Sequence, residues 1–208
     1  MAYSQIIVGA SFSQYFATIV NYINFSTLSS NVTKTANGGG GYNYAFSNGG
    51  SGSYANNSDM FLNANVNGQY WAKNTAINLQ SAGASGLSAL SLQNTNTVTT
   101  TPLVAGAFGV YFSFVSGSGS TALYNVLVFD GTTSGITPNI TTFSFTGSTG
   151  NKWLRLRRNT GIIFAEASTD GITWTTLHQF PTANNSVLYP LLSVSGTSSS
   201  STFQQPQM

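Results

Sequence analysis

The chain has no cysteine and a single histidine among 208 residues, and only 5% of its residues are charged. Without cysteine there is no disulfide framework and no thiolate metal site. A Ser-His-Asp triad would have to use His178, and no G-x-S-x-G elbow accompanies it. The four acids are Asp59, Asp130, Glu166 and Asp170. Glycoside hydrolysis needs two carboxylates about 5–10 Å apart, and no dense acidic loop marks a calcium site. A net charge of +2 is too small for a general nucleic-acid binder. No run reaches the roughly 18 apolar residues of a membrane span. Phe12–Phe25 comes nearest and is broken by Gln14, Asn21 and Asn24. The opening residues lack a basic n-region, and Ile6–Ala10 is too short an apolar run for an export signal. These absences predict no catalysis, no metal, no cofactor and no membrane span.

What is present is β-forming. Hydrophobic residues make up 41% of the chain, enough for a core. Solubility must come from Ser, Thr, Asn and Gly, because ordinary globular proteins carry about 25% charged residues. The stretch Lys152–Phe180 reads as three consecutive strands. Leu154 and Leu156 point one way; Trp153, Arg155 and Arg157 point the other. Asn159-Thr160-Gly161 supplies the first turn and Asp170-Gly171 the second. A four-residue first loop would set Arg155 opposite Glu166; a three-residue loop would not. Ile162–Ala167 and Ile172–Phe180 complete the series.

The same rhythm runs elsewhere. Tyr3–Val8, Tyr15–Phe25, Met60–Val66, Gln69–Lys73, Ala76–Leu79, Leu87–Leu92, Ile140–Phe145 and Val187–Val194 are strand candidates. Asn67-Gly68 marks a hairpin. Phe108–Val115 and Ala122–Phe129 are the most apolar runs and are expected as central strands buried on both faces. Residues 27–58 form a Gly/Asn/Ser-rich loop, with a short strand where Tyr42, Tyr44 and Phe46 alternate. Residues 198–208 are a polar C-terminal tail. The expectation is one all-β domain over residues 1–197, an antiparallel β-sandwich or jelly roll.

Two resemblances follow from these residues. Ser168-Thr169-Asp170-Gly171-Ile172-Thr173-Trp174 looks like the hairpin-stabilising Asp-box of sialidase-type propellers, one residue short between Asp and Gly. A propeller needs several copies, and the chain has one. The whole series, from Lys152-Trp153-Leu154-Arg155-Leu156-Arg157 through Thr173-Trp174 to the late strand Val187–Val194, resembles concanavalin A-like lectin/glucanase (laminin-G-like) sandwiches. That resemblance implies a jelly roll and allows carbohydrate binding. The paired carboxylates of the glucanase members have no counterpart here.

Two clusters are candidate sites. Tyr42, Tyr44, Tyr54, Tyr70 and Trp71 fall in or near the Gly-rich loops and could stack on sugar rings. The competing reading packs them onto the sandwich or into a subunit contact. Lys152, Arg155, Arg157 and Arg158 are four of the six basic residues. They could meet an anionic glycan or an acidic surface, or simply form a solvated hairpin face with Arg155 or Arg157 bridged to Glu166. Composition points first to a non-enzymatic virion structural subunit, a minor capsid, decoration or fibre protein. It would be made in a host cytoplasm and joined to other virion or assembly subunits as a homo- or hetero-oligomer. A carbohydrate-binding, lectin-like or receptor-binding module acting on surface glycans is the alternative, placed at an extracellular surface if the chain is not viral. Nucleic acid is not an expected partner.

Overall fold

Period-two alternation becomes two stacked sheets. The structure is a computed structural model that describes residues 22–47, 50–56, 68–79, 86–93, 107–129, 143–159, 161–181, 187–196 and 199–208. The strands are β1 (Thr27–Leu28), β2 (Val32–Ala36), β3 (Tyr42–Phe46), β4 (Gly50–Asn56), β5 (Gly68–Asn78), β6 (Leu87–Gln93) and β7 (Ala107–Ser116). They continue with β8 (Leu123–Phe129), β9 (Ser144–Thr146), β10 (Thr149–Asn159), β11 (Ile162–Ser168), β12 (Thr175–Pro181), β13 (Tyr189–Gly196) and β14 (Ser200–Gln207). A front sheet runs β12-β11-β10-β5-β14-β3-β2 and a back sheet β1-β4-β13-β6-β7-β8-β9, seven strands each. The fold is the all-β antiparallel sandwich expected of the sequence.

The core lies between the sheets. The front sheet contributes Tyr44, Phe46, Tyr70, Leu154, Leu156, Ile163, Phe180 and Phe203. The back sheet answers with Leu90, Leu92, Val110, Phe112, Tyr124, Val126 and Leu192. Buried hydroxyls tie the layers together. Tyr70 donates to Leu191 O at 3.1 Å, and Tyr124 donates to Ile77 O at 2.9 Å. A small polar knot also crosses the gap: Asn74 Nδ2 and Ser88 Oγ each lie 2.8 Å from Ser201 Oγ. Buried hydrogen bonds of this kind fix register more than they add stability, although Asn74 Oδ1 finds no partner among the described residues.

Several expectations change. Residues 200–207, set apart as a tail, form β14 between β5 and β3 in the middle of the front sheet. Ser201 and Phe203 point inward and are buried, which anchors a strand of otherwise polar residues. The 27–58 loop contains four strands, β1 to β4. Gln69–Lys73 and Ala76–Leu79 belong almost entirely to one strand, β5, which stops one residue short of Leu79. The strands buried throughout on both faces are β6 and, along most of its length, β13, not β7 and β8. β6 is the middle strand of the back sheet, while β7 loses its burial over its last residues and β8 alternates. Ile172 does not open a strand; it is 84% exposed in the turn, and β12 begins at Thr175. Tyr3–Val8, Met60–Val66, most of Tyr15–Phe25 and the first half of Ile140–Phe145 lie outside the described residues.

A second apolar cluster of Leu87, Ala89, Ala107, Tyr111 and Phe129 is buried apart from the main core. The ring of Phe129 lies over Gly109, where an added Cβ would meet it at 1.9 Å. That position requires glycine because there is no room, whatever its backbone angles.

Candidate functional site

Strand register decides which side chains share a surface. On β10, Lys152, Leu154, Leu156 and Arg158 are buried, while Trp153, Arg155 and Arg157 face outward and are half-buried. The basic cluster is therefore divided. Lys152 turns inward, its Nζ 2.7 Å from Thr149 O, and Arg158 is 2% exposed. Burial lowers the pKa of both groups. Only Arg155 and Arg157 are presented.

The aromatic candidates separate as well. Tyr44 and Tyr70 are fully buried, so neither offers a ring to a ligand. Tyr44 accepts the Phe25 N–H at 2.9 Å and donates to Ile23 O at 3.1 Å. Burial pushes its hydroxyl up to about 12. Tyr42 lies on the same side of β3 as Tyr44, partly buried against the core, with Lys34 Nζ 4.2 Å from its ring centroid. Tyr54 is on β4 of the back sheet, next in the strand to inward-facing Ala55. Trp71 alone of the five faces outward from the front sheet.

Trp71 has companions that the linear sequence kept apart. The chain has three tryptophans, Trp71, Trp153 and Trp174, and all three gather on the outer side of the front sheet. Trp71 and Trp153 pack with ring centroids 5.2 Å apart. The Arg155 guanidinium lies 3.9 Å from the Trp174 ring centroid, and Lys73 Nζ lies 5.5 Å from that of Trp153. Gly171 leaves room for the Trp153 indole; a Cβ there would stand 2.8 Å from it.

Cross-strand pairing arranges this face in rows. One row runs Ser168, Trp153, Lys73, Gln204, Asn43, Thr35 from β11 to β2. At about 4.8 Å between strands it is roughly 24 Å long. The next runs Thr176, Glu166, Arg155, Trp71. A third runs Phe164, Arg157, Gln69. It leads to an open cleft of roughly 420 Å³ lined by Gly68, Gln69, Arg157, Arg158 and Asn159.

Glu166 is the electrostatic hub. Its side chain is 3% exposed. Arg155 Nε donates to Oε2 at 2.6 Å, and Arg157 Nη2 donates to Oε1 at 2.8 Å. Thr176 Oγ1 is 3.3 Å from Oε1. Burial alone would raise this carboxyl. The hydrogen bonds and charges of Arg157 and Arg155 outweigh it and hold the pKa below the ordinary value. The group is thus ionised at neutral pH and committed to two arginines, unsuited to donate a proton. Asp170 is committed too. It accepts the N–H groups of Ile172 and Thr173 at 2.8 and 2.7 Å and the Ser168 hydroxyl at 2.8 Å. Those backbone bonds, then the hydroxyl, bring its pKa down to about 2. The short Asp-box-like segment is a turn brace. Asp59 and Asp130 lie outside the described residues. Among the described residues no three His, Asp or Glu side chains group as a metal site, and no helix is long and apolar enough to cross a membrane.

No protein-family model and no curated protein matches the chain. Solved structures resemble it at low identity. A functionally unknown protein from Saccharomyces cerevisiae is 11% identical with a TM-score of 0.46, covering 84% of this chain and 89% of that one. A basic winged bean lectin bound to Tn-antigen is 11% identical with a TM-score of 0.43, covering 90% and 94%. An alginate lyase from Klebsiella pneumoniae is 9% identical with a TM-score of 0.46, covering 83% and 82%. Lectins and lyases stand side by side in that company, so the likeness assigns no activity to this chain.

Proposed function

We propose that the chain is a non-catalytic carbohydrate-binding module and that its ligand lies across the outer face of the front sheet. The observation that carries this reading is the gathering of Trp71, Trp153 and Trp174 on that one face, among the hydrogen-bonding side chains of Gln69, Gln204, Asn43 and Thr35. Flat aromatic surface stacks on the C–H faces of sugar rings, and amides and hydroxyls match their hydroxyls. Most of these side chains are half-buried and braced by neighbours, so little conformational freedom is lost on binding. The test is a glycan screen with the intact chain, followed by Trp71→Ala and Trp174→Ala. Loss of binding in both variants, with unchanged circular dichroism, supports the reading. Binding that survives both substitutions removes it.

The virion-subunit reading is kept as a second proposal, with localisation to a virion. It rests on the low charge content of 5% and the polar, Ser/Thr/Asn-rich surface. Light scattering and electron microscopy of the purified chain at physiological salt test it. Regular oligomers support it, and a monomer at all concentrations counts against it.

A further inference from the structure

Each of the three rows on the front face carries one cation. Lys73 lies beside Trp153, Arg155 beside Trp71, and Arg157 beside Gln69 at the mouth of the cleft. Against these stands one carboxylate within the rows, Glu166, which sits below the guanidinium groups with its oxygens turned to them. Asp170 is at the far turn, its Oδ1 taken by backbone N–H groups and Ser168. The rows therefore carry three cations against one carboxylate, and the charges elsewhere, three basic and three acidic, sum to zero.

From this we propose that the ligand of the front face is an acidic polysaccharide, bearing carboxylate or sulfate groups. Its rings lie along Trp71 and Trp153, and one acid group enters the cleft at Arg157. The inference rests on the carbohydrate-binding reading and adds to it the ligand's charge. Two features set this surface. Arg157 is 31% exposed, about twice Arg155, while Glu166 fixes its Nε and Nη2 edge. Its orientation is thereby set before a ligand arrives, and a planar guanidinium suits a carboxylate or sulfate. The cleft also receives arginines from both sides of β10, Arg157 from the outer face and Arg158 from the inner. A nucleic-acid strand fits less well. Three cations shared with one carboxylate are few for a backbone that places a phosphate at every nucleotide.

The experiment is calorimetric titration of the intact chain with polygalacturonate, dextran sulfate, neutral dextran and an oligothymidylate. Polygalacturonate or dextran sulfate is expected to bind at least about tenfold more tightly than dextran. That preference should fade as salt shortens the Debye length from about 30 Å at 0.01 M to about 3 Å at 1 M. Which acidic polymer binds separates carboxylate from sulfate recognition. Arg157→Gln should lower acidic binding about tenfold while leaving any neutral binding in place. Lys73→Gln, outside the Glu166 cluster, tests the same point should the arginine variant fold poorly. Equal binding of neutral and acidic polymers, abolished by Trp71→Ala, overturns the charge inference and leaves the carbohydrate reading standing. Binding of the oligothymidylate alone, or of none of the four, overturns both.

Discussion

Replacing Glu166 with glutamine tests how the front face is held. The change keeps the side chain's size and removes its charge. Three guanidinium N–H contacts converge on this carboxylate at 2.6, 2.8 and 3.3 Å. Glutamine offers one oxygen in place of two and turns an amide toward a guanidinium or toward Thr176. Breaking a fully buried ion pair costs about 3–5 kcal/mol. The arginines are 16% and 31% exposed, so water recovers part of that. A loss of about 2–3 kcal/mol is expected at neutral pH. For a chain of this length it corresponds to a Tm lower by about 4–12 °C. Acid is the decisive variable. The Glu166 pKa is depressed in the folded state, so its contribution is complete above the unfolded value and is lost as pH falls through the folded one. The Tm gap between wild type and E166Q should be full at pH 7, hold to about pH 5, and close in stronger acid. Calorimetric or circular-dichroism melts across that range measure it. A gap of the same size at every pH would refute the reasoning, because the loss would then come from packing and not from charge.

Other outcomes follow from the same structure. Asp170→Ala should lower Tm at neutral pH, and its deficit should shrink as pH falls from about 4 towards 2, where the wild-type carboxylate is itself protonated. Burial raises the pKa of Tyr44 to about 12 and also raises those of Tyr70 and Tyr111. Raised values give stability that is present below about pH 10 and drains above it, so absorbance-monitored alkaline titration should show their tyrosinate signal together with unfolding. Tyr70→Phe removes the bond to Leu191 O and should cost about 1 kcal/mol in a denaturant melt. Gly109→Ala drives a methyl into the Phe129 ring and should cost about 1–3 kcal/mol by the same measurement.

Much of the sandwich was legible where burial leaves an alternating trace. Leu154 and Leu156 against Trp153, Arg155 and Arg157 gave the two sides of β10 correctly. Of the two registers left open at the first turn, the structure has Arg155 opposite Glu166. β14 was illegible because its inward side meets a polar knot. With Ser201 and Phe203 as inward anchors, Ser-Ser-Thr-Phe-Gln-Gln-Pro-Gln carries no apolar stripe. The aromatic site was misjudged for a related reason. Tyr70 and Trp71 are neighbours in sequence, so in a strand they must point to opposite faces; only the pairing of β5 with β10 shows which one is outside. That pairing joins residues 68–76 to residues 149–158, a separation no local pattern records. Trp71 shares strand parity with Lys73, and Trp153 with Arg155 and Arg157, but Trp174 lies in a turn with no cation near it in sequence, so no local pattern groups the three.

The position of β14 has a bearing on how the protein is made. Its partners, β3 and β5, are synthesised more than a hundred residues earlier, and until residues 200–207 leave the ribosome each has one unpaired flank. An interval of that kind exposes two strand edges, separated by one strand's width, that can capture any extended segment nearby. The strands that carry the tryptophans and arginines, β5, β10, β11 and β12, can pair beforehand, but β3 and β2 cannot join them until this insertion. Nascent chains stalled just short of β14 should therefore be trapped by holdase chaperones or pair with one another, while release of the remaining segment should convert them in one step to the native sandwich.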